Sequence, residues 1–214
     1  MAVIAITGRK GGVGKTSLTA NLAAELRALG HTVAVLDTDP QQSLTAWAGL
    51  GSGLLSEIVE AVDTAHPERF RAKVREAAKA ADRVLIDTPP GFADPALLAA
   101  LLADVVLLPA GPSPLDILAA RDAVTLVREA RAQRGGKKPL IRFVPSRVTH
   151  TTLSRDLVTS LKDLGEKVFP SIRQRVVIAE AALNGLTVQE YAPNSLARRE
   201  FHTLTRALER ILRP

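Results

Sequence analysis

Short apolar runs alternate along the whole chain with longer segments of helical periodicity. The apolar runs predict strands, and the intervening segments predict helices with one apolar and one polar face. Strands that are apolar throughout are typical of a parallel sheet covered by helices on both faces, so the pattern predicts a doubly wound α/β fold. The predicted strands are 2–7, 32–37, 83–87, 105–109, 140–144 and 167–169.

Nine segments between and after these strands have the periodicity of helices. They are 16–29, 41–48, 54–62, 67–81, 95–103, 115–134, 153–164, 178–183 and 195–212. Gly30 follows the first of them, where a glycine commonly ends a helix. The glycine-rich stretch 49–53 predicts a flexible loop. Since no repeat and no long linker interrupts the alternation, we expect residues 1–214 to form a single domain.

The loop after the first strand carries the strongest chemical signal. Residues 10–16 read Lys-Gly-Gly-Val-Gly-Lys-Thr between a predicted strand and a predicted helix. The glycines allow successive backbone N–H groups to face an anion, and the helix start adds partial positive charge. Lys15 is placed to reach the β- and γ-phosphates of a nucleotide, and the Thr16 hydroxyl to bind Mg²⁺. Arg9 stands where the strict pattern has its first glycine, and a second lysine, Lys10, follows it.

Three carboxylates lie at the ends of predicted strands or directly after them. Asp37 and Asp39 end the second strand, where the alternation of side chains puts both on one face. Asp87 ends the third strand, and a carboxylate at the end of an apolar strand beside a phosphate loop commonly meets Mg²⁺. These positions predict a metal and phosphate site, although a helix-capping turn is another explanation for Asp39.

Composition excludes some chemistry and locates the charge. The chain has no cysteine, which excludes disulfides, thiolate metal sites and iron–sulfur clusters. Without an N-terminal signal or an apolar run of about 18 residues, we expect a cytoplasmic protein. The formal net charge is +6, with −2 in residues 1–114 and +8 in 115–214. The second half is therefore where a polyanion would bind, and a solvated basic surface explains the charge equally well.

Together these motifs resemble the ParA/MinD family of deviant Walker A ATPases. The second strand ends in Asp-x-Asp-Pro-Gln at 37–41, and 112–116 read Pro-Ser-Pro-Leu-Asp, as in the small plasmid-partition branch. The length of 214 residues is similar to that of ParA-type partition ATPases without an N-terminal helix-turn-helix domain. The resemblance implies a P-loop NTPase fold with ATP and Mg²⁺ as cofactors.

The resemblance also implies the role of each site residue. Lys10 would reach across an ATP-sandwich homodimer to the partner's phosphates and neutralise charge in the transition state. Asp39 would orient the attacking water. The implied catalytic residues are Lys10, Lys15 and Asp39, and the implied metal-binding residues are Thr16, Asp37 and Asp87. The nucleotide-binding residues would be Lys10, Gly11, Gly12, Val13, Gly14, Lys15, Thr16 and Ser17, with Pro145, Ser146 and Arg147 on the adenine side.

The partners implied by the resemblance are DNA and a second protein. The ATP-bound dimer would bind DNA non-specifically and associate with the nucleoid, and a ParB-like centromere-binding or cargo-adaptor protein would stimulate slow hydrolysis. Non-specific binding needs Lys and Arg that reach phosphates rather than a base-reading helix. The candidate DNA contacts are Arg173, Arg175, Arg198 and Arg199, and ion pairs with local glutamates explain each of these arginines equally well.

Three other functions remain open from the sequence. The apolar stripe of 195–212 is also found in MinD-like membrane-targeting helices, although such a stripe more often packs onto its own domain. The same motifs occur in ATPases that position a protein cluster rather than a plasmid or chromosome. A small-molecule ATP-dependent ligase on this scaffold would need no DNA, and Lys10 together with the basic second half argues against it.

Overall fold

The computed structural model describes residues 1–91 and 93–213, so Phe92 and Pro214 of the predicted domain lie outside the described residues. The described strands are β1 (Ala2–Ile6), β2 (Val33–Asp37), β3 (Val59–Ala61), β4 (Arg83–Asp87), β5 (Val105–Ala110), β6 (Leu140–Pro145) and β7 (Lys167–Val168). They form one parallel sheet in the order β3-β2-β4-β1-β5-β6-β7. The predicted α/β class with a parallel sheet is confirmed.

Helices cover both faces of this sheet. They are α1 (Lys15–Ala28), α2 (Ser43–Ala48), α3 (Leu55–Ile58), α4 (Pro67–Ala80), α5 (Ala93–Leu102), α6 (Pro114–Gln133), α7 (Thr152–Asp163), α8 (Val176–Leu183), α9 (Val188–Tyr191) and α10 (Leu196–Leu212). Alternate residues of β1 enter different apolar layers. Ile4 and Ile6 pack with α1 and α10, whereas Val3 and Ala5 pack with α4 to α7. Because both faces are buried, the central strands are apolar throughout.

The segment 54–62 differs from its prediction. The sequence predicts one helix there, whereas the structure has the single turn α3 followed by the edge strand β3. Val59 of β3 pairs with Val35 of β2. Only three residues long and with two of them exposed, β3 has no apolar run that would distinguish it from a polar helix. The short α9 is likewise absent from the predicted elements.

The glycine-rich stretch 49–53, predicted as a flexible loop, lies against the turn between α8 and α9. A Cβ on Gly185 would come within 2.5 Å of the Gly51 nitrogen, and a Cβ on Gly53 within 2.9 Å of Glu190. Gly185 also has a φ of +69°, which favours glycine. The close approach therefore depends on the absence of side chains at these positions.

The position of β1 determines where a site can form. β1 lies between β4 and β5, and the chain runs from β1 to one side of the sheet and later crosses to the other. Ligands of doubly wound sheets bind at such a switch point, beyond the carboxyl ends of the strands. The loops after β1, β2 and β4 all leave the sheet at this edge. In the described part of the chain, no helix has the length and apolar character needed to cross a membrane.

Candidate nucleotide-binding site

The loop between β1 and α1 has the backbone of a phosphate-binding loop. Gly12 and Gly14 have φ values of +72° and +94°, in the left-handed region that side chains disfavour. α1 begins at Lys15, so its free N–H groups open toward the loop. The Lys15 side chain is buried, and its Nζ donates to the Lys10 carbonyl oxygen at 3.2 Å.

The charge of Lys15 is set by competing effects. Burial lowers the pKa of Lys15, whereas the carboxylates of Asp87 and Asp39 oppose that shift. A buried ammonium close to carboxylates and to an open glycine loop is suited to hold a polyphosphate.

Asp87 lies at the centre of the site. Its Oδ2 accepts a hydrogen bond of 2.8 Å from Thr16 Oγ1, and its Oδ1 accepts one of 3.0 Å from Thr19 Oγ1. Burial raises the pKa of Asp87 to about 7; these hydrogen bonds oppose the shift, and the negative charge of Asp37 adds to it. Asp37 and Asp87 are paired in register on neighbouring strands. The structure thus brings together Thr16, Asp37 and Asp87, the three predicted metal-binding residues.

These residues fit the requirements of Mg²⁺ bound with a nucleotide. Among the described residues, no group of three or more His, Cys, Asp or Glu side chains could hold a metal ion alone. Mg²⁺ commonly takes only one or two protein carboxylates and completes its shell with water and phosphate oxygens. A buried carboxylate whose pKa is raised is a suitable neighbour for such a cation, because the cation would favour its ionised form.

Asp37 and Asp39 connect the site to α2. Asp37 Oδ2 accepts from the backbone nitrogen and the hydroxyl of Thr45, both at 2.9 Å, and its Oδ1 accepts from the Asp39 nitrogen at 3.1 Å. Asp39 Oδ1 accepts from the Gln41 nitrogen at 2.9 Å, which makes a turn. This turn does not cap a helix, because α2 begins at Ser43 and its N-cap residue is Gln42, so the helix-capping explanation for Asp39 is wrong. The turn leaves the Asp39 carboxylate close enough to Lys15 to act on its pKa.

Lys10 has a partner in its own chain. Its Nζ lies 2.6 Å from Asp116 Oδ1 and 3.5 Å from Ser113 Oγ, both at the start of α6. Burial raises the pKa of Asp116, but hydrogen bonds from Lys10 and Ser113 more than offset it, so the pKa is below its usual value. A Cβ on Gly111 would lie 2.7 Å from Asp116 Oδ2, so glycine makes room for this carboxylate.

A cavity of about 1010 Å³ extends from the phosphate loop between α2 and α8. Arg147 borders it with a φ of +57°, and its Nη1 donates to the Gly12 carbonyl oxygen at 2.8 Å. Ser146 also borders the cavity, whereas Pro145 is buried at the end of β6 and is not among the lining residues. Trp47 forms part of the apolar wall. Of the three predicted adenine-side residues, the structure therefore places Ser146 and Arg147 at the cavity.

The candidate DNA contacts differ in their surroundings. Arg198 Nε pairs with the buried Glu25 at 2.9 Å, and Arg175 Nη2 pairs with Glu200 at 2.6 Å. Arg173 is exposed and lies 3.9 Å from Glu200. Arg199 is also exposed. The local ion pairs with glutamate expected as an alternative are thus present for Arg173, Arg175 and Arg198, and the pair of Arg173 is the longest of the three.

Several residues of the site were not singled out from the sequence. Thr19 and Thr45 hold the two buried carboxylates, and Asp116 holds Lys10. Thr19 lies one helical turn after Lys15, so a scan for polar residues on the buried side of the first helix would find it. The contact between Lys10 and Asp116 depends on how α6 packs, and no local pattern indicates it.

Comparisons with known proteins agree with this geometry. The chain is 32% identical to the chromosome-partitioning ATPase Soj of Thermus thermophilus, over 90% of this chain and 89% of Soj. It is 29% identical to maintenance of carboxysome distribution protein A of Halothiobacillus neapolitanus, over 86% of this chain and 85% of that protein.

The septum site-determining protein MinD of Pyrococcus horikoshii, solved with Mg-ADP, superposes with a TM-score of 0.80 over 99% of this chain and 97% of MinD. Its identity to this chain is 20%, so this likeness concerns the fold. The profile of the CobQ/CobB/MinD/ParA nucleotide binding domain matches residues 4–188. Because this profile matches most of the chain and Soj is 32% identical to it, the chain belongs to the ParA/MinD family of nucleotide-binding proteins.

Proposed function

We propose that this protein is a Mg²⁺-dependent ATPase of the ParA type, which dimerises around ATP, binds DNA non-specifically and positions a DNA cargo with a ParB-like partner. One observation supports this most: the phosphate loop carries two lysines, and only Lys15 points into its own site. Lys10 is instead held at the rim by Asp116, 2.6 Å away. A lysine at the edge of the site can contact the phosphates of a nucleotide that a second subunit binds.

The residues of the chain have distinct tasks in hydrolysis. Lys15 and the backbone N–H groups of 11–17 hold the β- and γ-phosphates of ATP. Mg²⁺, when bound, neutralises charge on the phosphate oxygens. The Thr16 hydroxyl, now a donor to Asp87, would turn an oxygen lone pair to the cation, and Asp37 and Asp87 would accept from its water shell. Asp39, held by its turn, orients the attacking water.

Dimerisation requires Lys10 to exchange partners. In the ATP-bound dimer it leaves Asp116 and contacts the phosphates of the partner subunit, where its charge stabilises the transition state. ATP hydrolysis without a partner protein is slow, because the ion pair with Asp116 at 2.6 Å keeps Lys10 away from the phosphates of the other subunit. A ParB-like or cargo-adaptor protein that favours the exchanged state would stimulate hydrolysis.

The cargo has a second candidate. Homologues named for carboxysome distribution are 29% and 33% identical to this chain, so a protein body is an alternative to a plasmid or chromosome. DNA binding through the basic second half, with Arg173, Arg175, Arg198 and Arg199 as candidates, serves either cargo. The protein would then be cytoplasmic, and nucleoid-associated when ATP is bound.

Membrane targeting receives less support than DNA binding. Phe201, Leu204 and Leu208 form the apolar stripe of α10, and all three are at most 2% exposed. A membrane-surface helix needs such a stripe free to enter the lipid. Here the stripe packs onto α1 and the sheet, so α10 has no large apolar face left for a membrane.

A dimerisation assay tests the proposal. The molar mass of wild type, Lys15→Ala and Asp39→Ala is measured by light scattering with ATP and Mg²⁺, with ADP as the control nucleotide. Asp39→Ala should remain an ATP-bound dimer because hydrolysis is blocked, wild type should revert to monomer as ATP is consumed, and Lys15→Ala should stay monomeric. A monomeric Asp39→Ala variant that binds ATP normally would contradict the sandwich dimer.

A further inference from the structure

The exposed face of α10 is a row of arginines. Between residues 199 and 212, the exposed positions of this helix are Arg199, Thr203, Arg206 and Arg210. At about 100° per residue, the three arginines fall within about 40° of one another around the helix axis. Arg213 follows immediately after the last helical residue and is also exposed. We call Arg199, Arg206, Arg210 and Arg213 the α10 arginine row.

The acidic residues of α10 do not neutralise this row. Glu200 binds Arg175, and Glu209 binds Arg83 at 2.8 Å and His31 at 3.0 Å. Burial raises the pKa of Glu209, but the bonds from Arg83 and His31 lower it to below its usual value, so it is ionised and committed. None of the ion pairs found in residues 1–91 and 93–213 includes an arginine of the row.

The helix beneath the row is firmly fixed. In the N-terminal half of α10, Arg198 and His202 both lie 2.9 Å from the buried carboxylate of Glu25 on α1. In the C-terminal half of α10, Glu209 pairs with Arg83 and His31. The apolar stripe with Phe201 and Leu208 is buried in between. Because the backbone beneath the row is already fixed, binding an extended partner has to order only the arginine side chains.

The row has the dimensions and charge of a contact for a nucleic acid backbone. Arg199 and Arg210 are about 16 Å apart along the axis at a rise of about 1.5 Å per residue. That is about half of the 34–36 Å helical turn of DNA, which presents a phosphate to the row at each step along one strand. A helix that lies in a lipid surface needs apolar side chains beside the charges, and these are buried here. The row would be held at an anionic membrane by charge alone. The observations therefore favour DNA over an anionic membrane.

We propose that the α10 arginine row is the principal DNA-binding surface of this protein, with Arg199 as the one residue it shares with the contacts predicted from the sequence. Arg175 and Arg198 then act mainly within the fold, because they hold Glu200 and Glu25. This inference rests on the DNA binding in the proposed function and specifies where that binding occurs.

A salt series with two matched double variants tests the row. Arg206→Ala/Arg210→Ala removes two row charges four residues apart. Arg75→Ala/Lys79→Ala removes two exposed charges at the same spacing on α4, which covers the opposite face of the sheet. Affinity for an arbitrary 30-base-pair duplex is measured with ATP and Mg²⁺ between 50 and 200 mM salt, with ATP turnover and thermal unfolding as checks on folding. Neither pair belongs to the nucleotide site, so both variants should pass those checks.

The expected result is a change in slope for one variant alone. The slope of log affinity against log salt should become shallower by about 1.8 for each bound subunit when two phosphate contacts are lost. Over a fourfold rise in salt this amounts to a factor of about ten in affinity per subunit. The α4 variant should keep the wild-type slope.

The other outcomes are distinguishable. If wild type binds DNA and the row variant has the same slope and affinity, the row is not the DNA surface and the proposed function stands. If wild type binds no DNA with ATP, the proposed function fails as well. Binding of wild type to vesicles of 30% anionic lipid, lost in the row variant and without DNA binding, would assign the row to a membrane and overturn this inference.

Discussion

Replacement of Asp87 by Asn should stabilise the nucleotide-free protein at pH 8 while weakening its binding of Mg²⁺ and ATP. Asp87 is buried with its pKa raised to about 7, so at pH 8 it is ionised in a site that favours the neutral form. Asn has nearly the same shape without the charge. Its carbonyl oxygen can accept from one threonine hydroxyl, while the other hydroxyl rotates to accept from the amide nitrogen.

The magnitude follows from linkage. The pKa of Asp87 rises from 3.8 to about 7, so between these values the folded state holds a proton that the unfolded state has released. The stabilisation by this group is complete below pH 3.8 and is lost as the pH rises through about 7. At about 1.36 kcal/mol per unit, the loss is at most about 4 kcal/mol. The Asn side chain does not titrate, so the unfolding free energy of the variant should exceed that of wild type by an amount that grows from pH 5 to pH 8.

Urea unfolding at pH 5, 6, 7 and 8 in EDTA without nucleotide measures this difference. Asp163→Asn is the matched control, because Asp163 is exposed at the end of α7, at the edge of the sheet opposite the site, and its substitution should leave the pH dependence of wild type unchanged. If wild type and Asp87→Asn keep a constant difference in unfolding free energy across this range, burial of Asp87 does not destabilise its charge and the reasoning is refuted. Wild type alone should release protons when Mg²⁺ and ATP bind at pH 7.

Two further substitutions test contacts made by the basic residues. Asp116→Asn removes the charge that holds Lys10, so ATP-dependent dimerisation should become faster. The control Asp122→Asn loses only an exposed pair with Arg9 and should dimerise at the wild-type rate. Stopped-flow light scattering measures both rates, and equal rates would show that the Lys10 contact does not restrain dimerisation. Arg175→Ala leaves the half-buried Glu200 without its closest partner, so the unfolding free energy should fall by about 1–3 kcal/mol; a thermal midpoint equal to that of wild type would remove the structural role given to this arginine.

The parts of the fold with uninterrupted burial could be predicted from the sequence. Five of the described strands, β1, β2, β4, β5 and β6, are apolar enough to be recognised, and parallel strands necessarily bring their carboxyl ends to one edge. For that reason the meeting of Asp37 and Asp87 beside Lys15 follows from their positions at strand ends. The roles of these residues in hydrolysis remain predictions until they are measured.

The remaining features depend on packing between segments distant in sequence. Arg198 meets Glu25 across 173 residues, and Lys10 meets Asp116 only because α6 is placed beside the phosphate loop. A charge pattern read along the chain cannot distinguish an arginine that pairs with a buried glutamate from one that faces solvent. The arginines of α10 can be divided into those that form ion pairs and those that face solvent only when their positions around the helix and their partners are both known.

Trp47 gives the site a built-in optical reporter. It is the single tryptophan of the chain, only 7% exposed, on the wall of the cavity next to the phosphate loop. Its indole Nε1 donates to the Leu186 carbonyl oxygen at 3.2 Å, which connects α2 to the turn before α9. Fluorescence excited at the indole band therefore originates from this one place, and any movement of α2 away from that turn would shift its emission. A nucleotide that enters this cavity or moves α2 would therefore be detected by the emission of Trp47, without an attached dye.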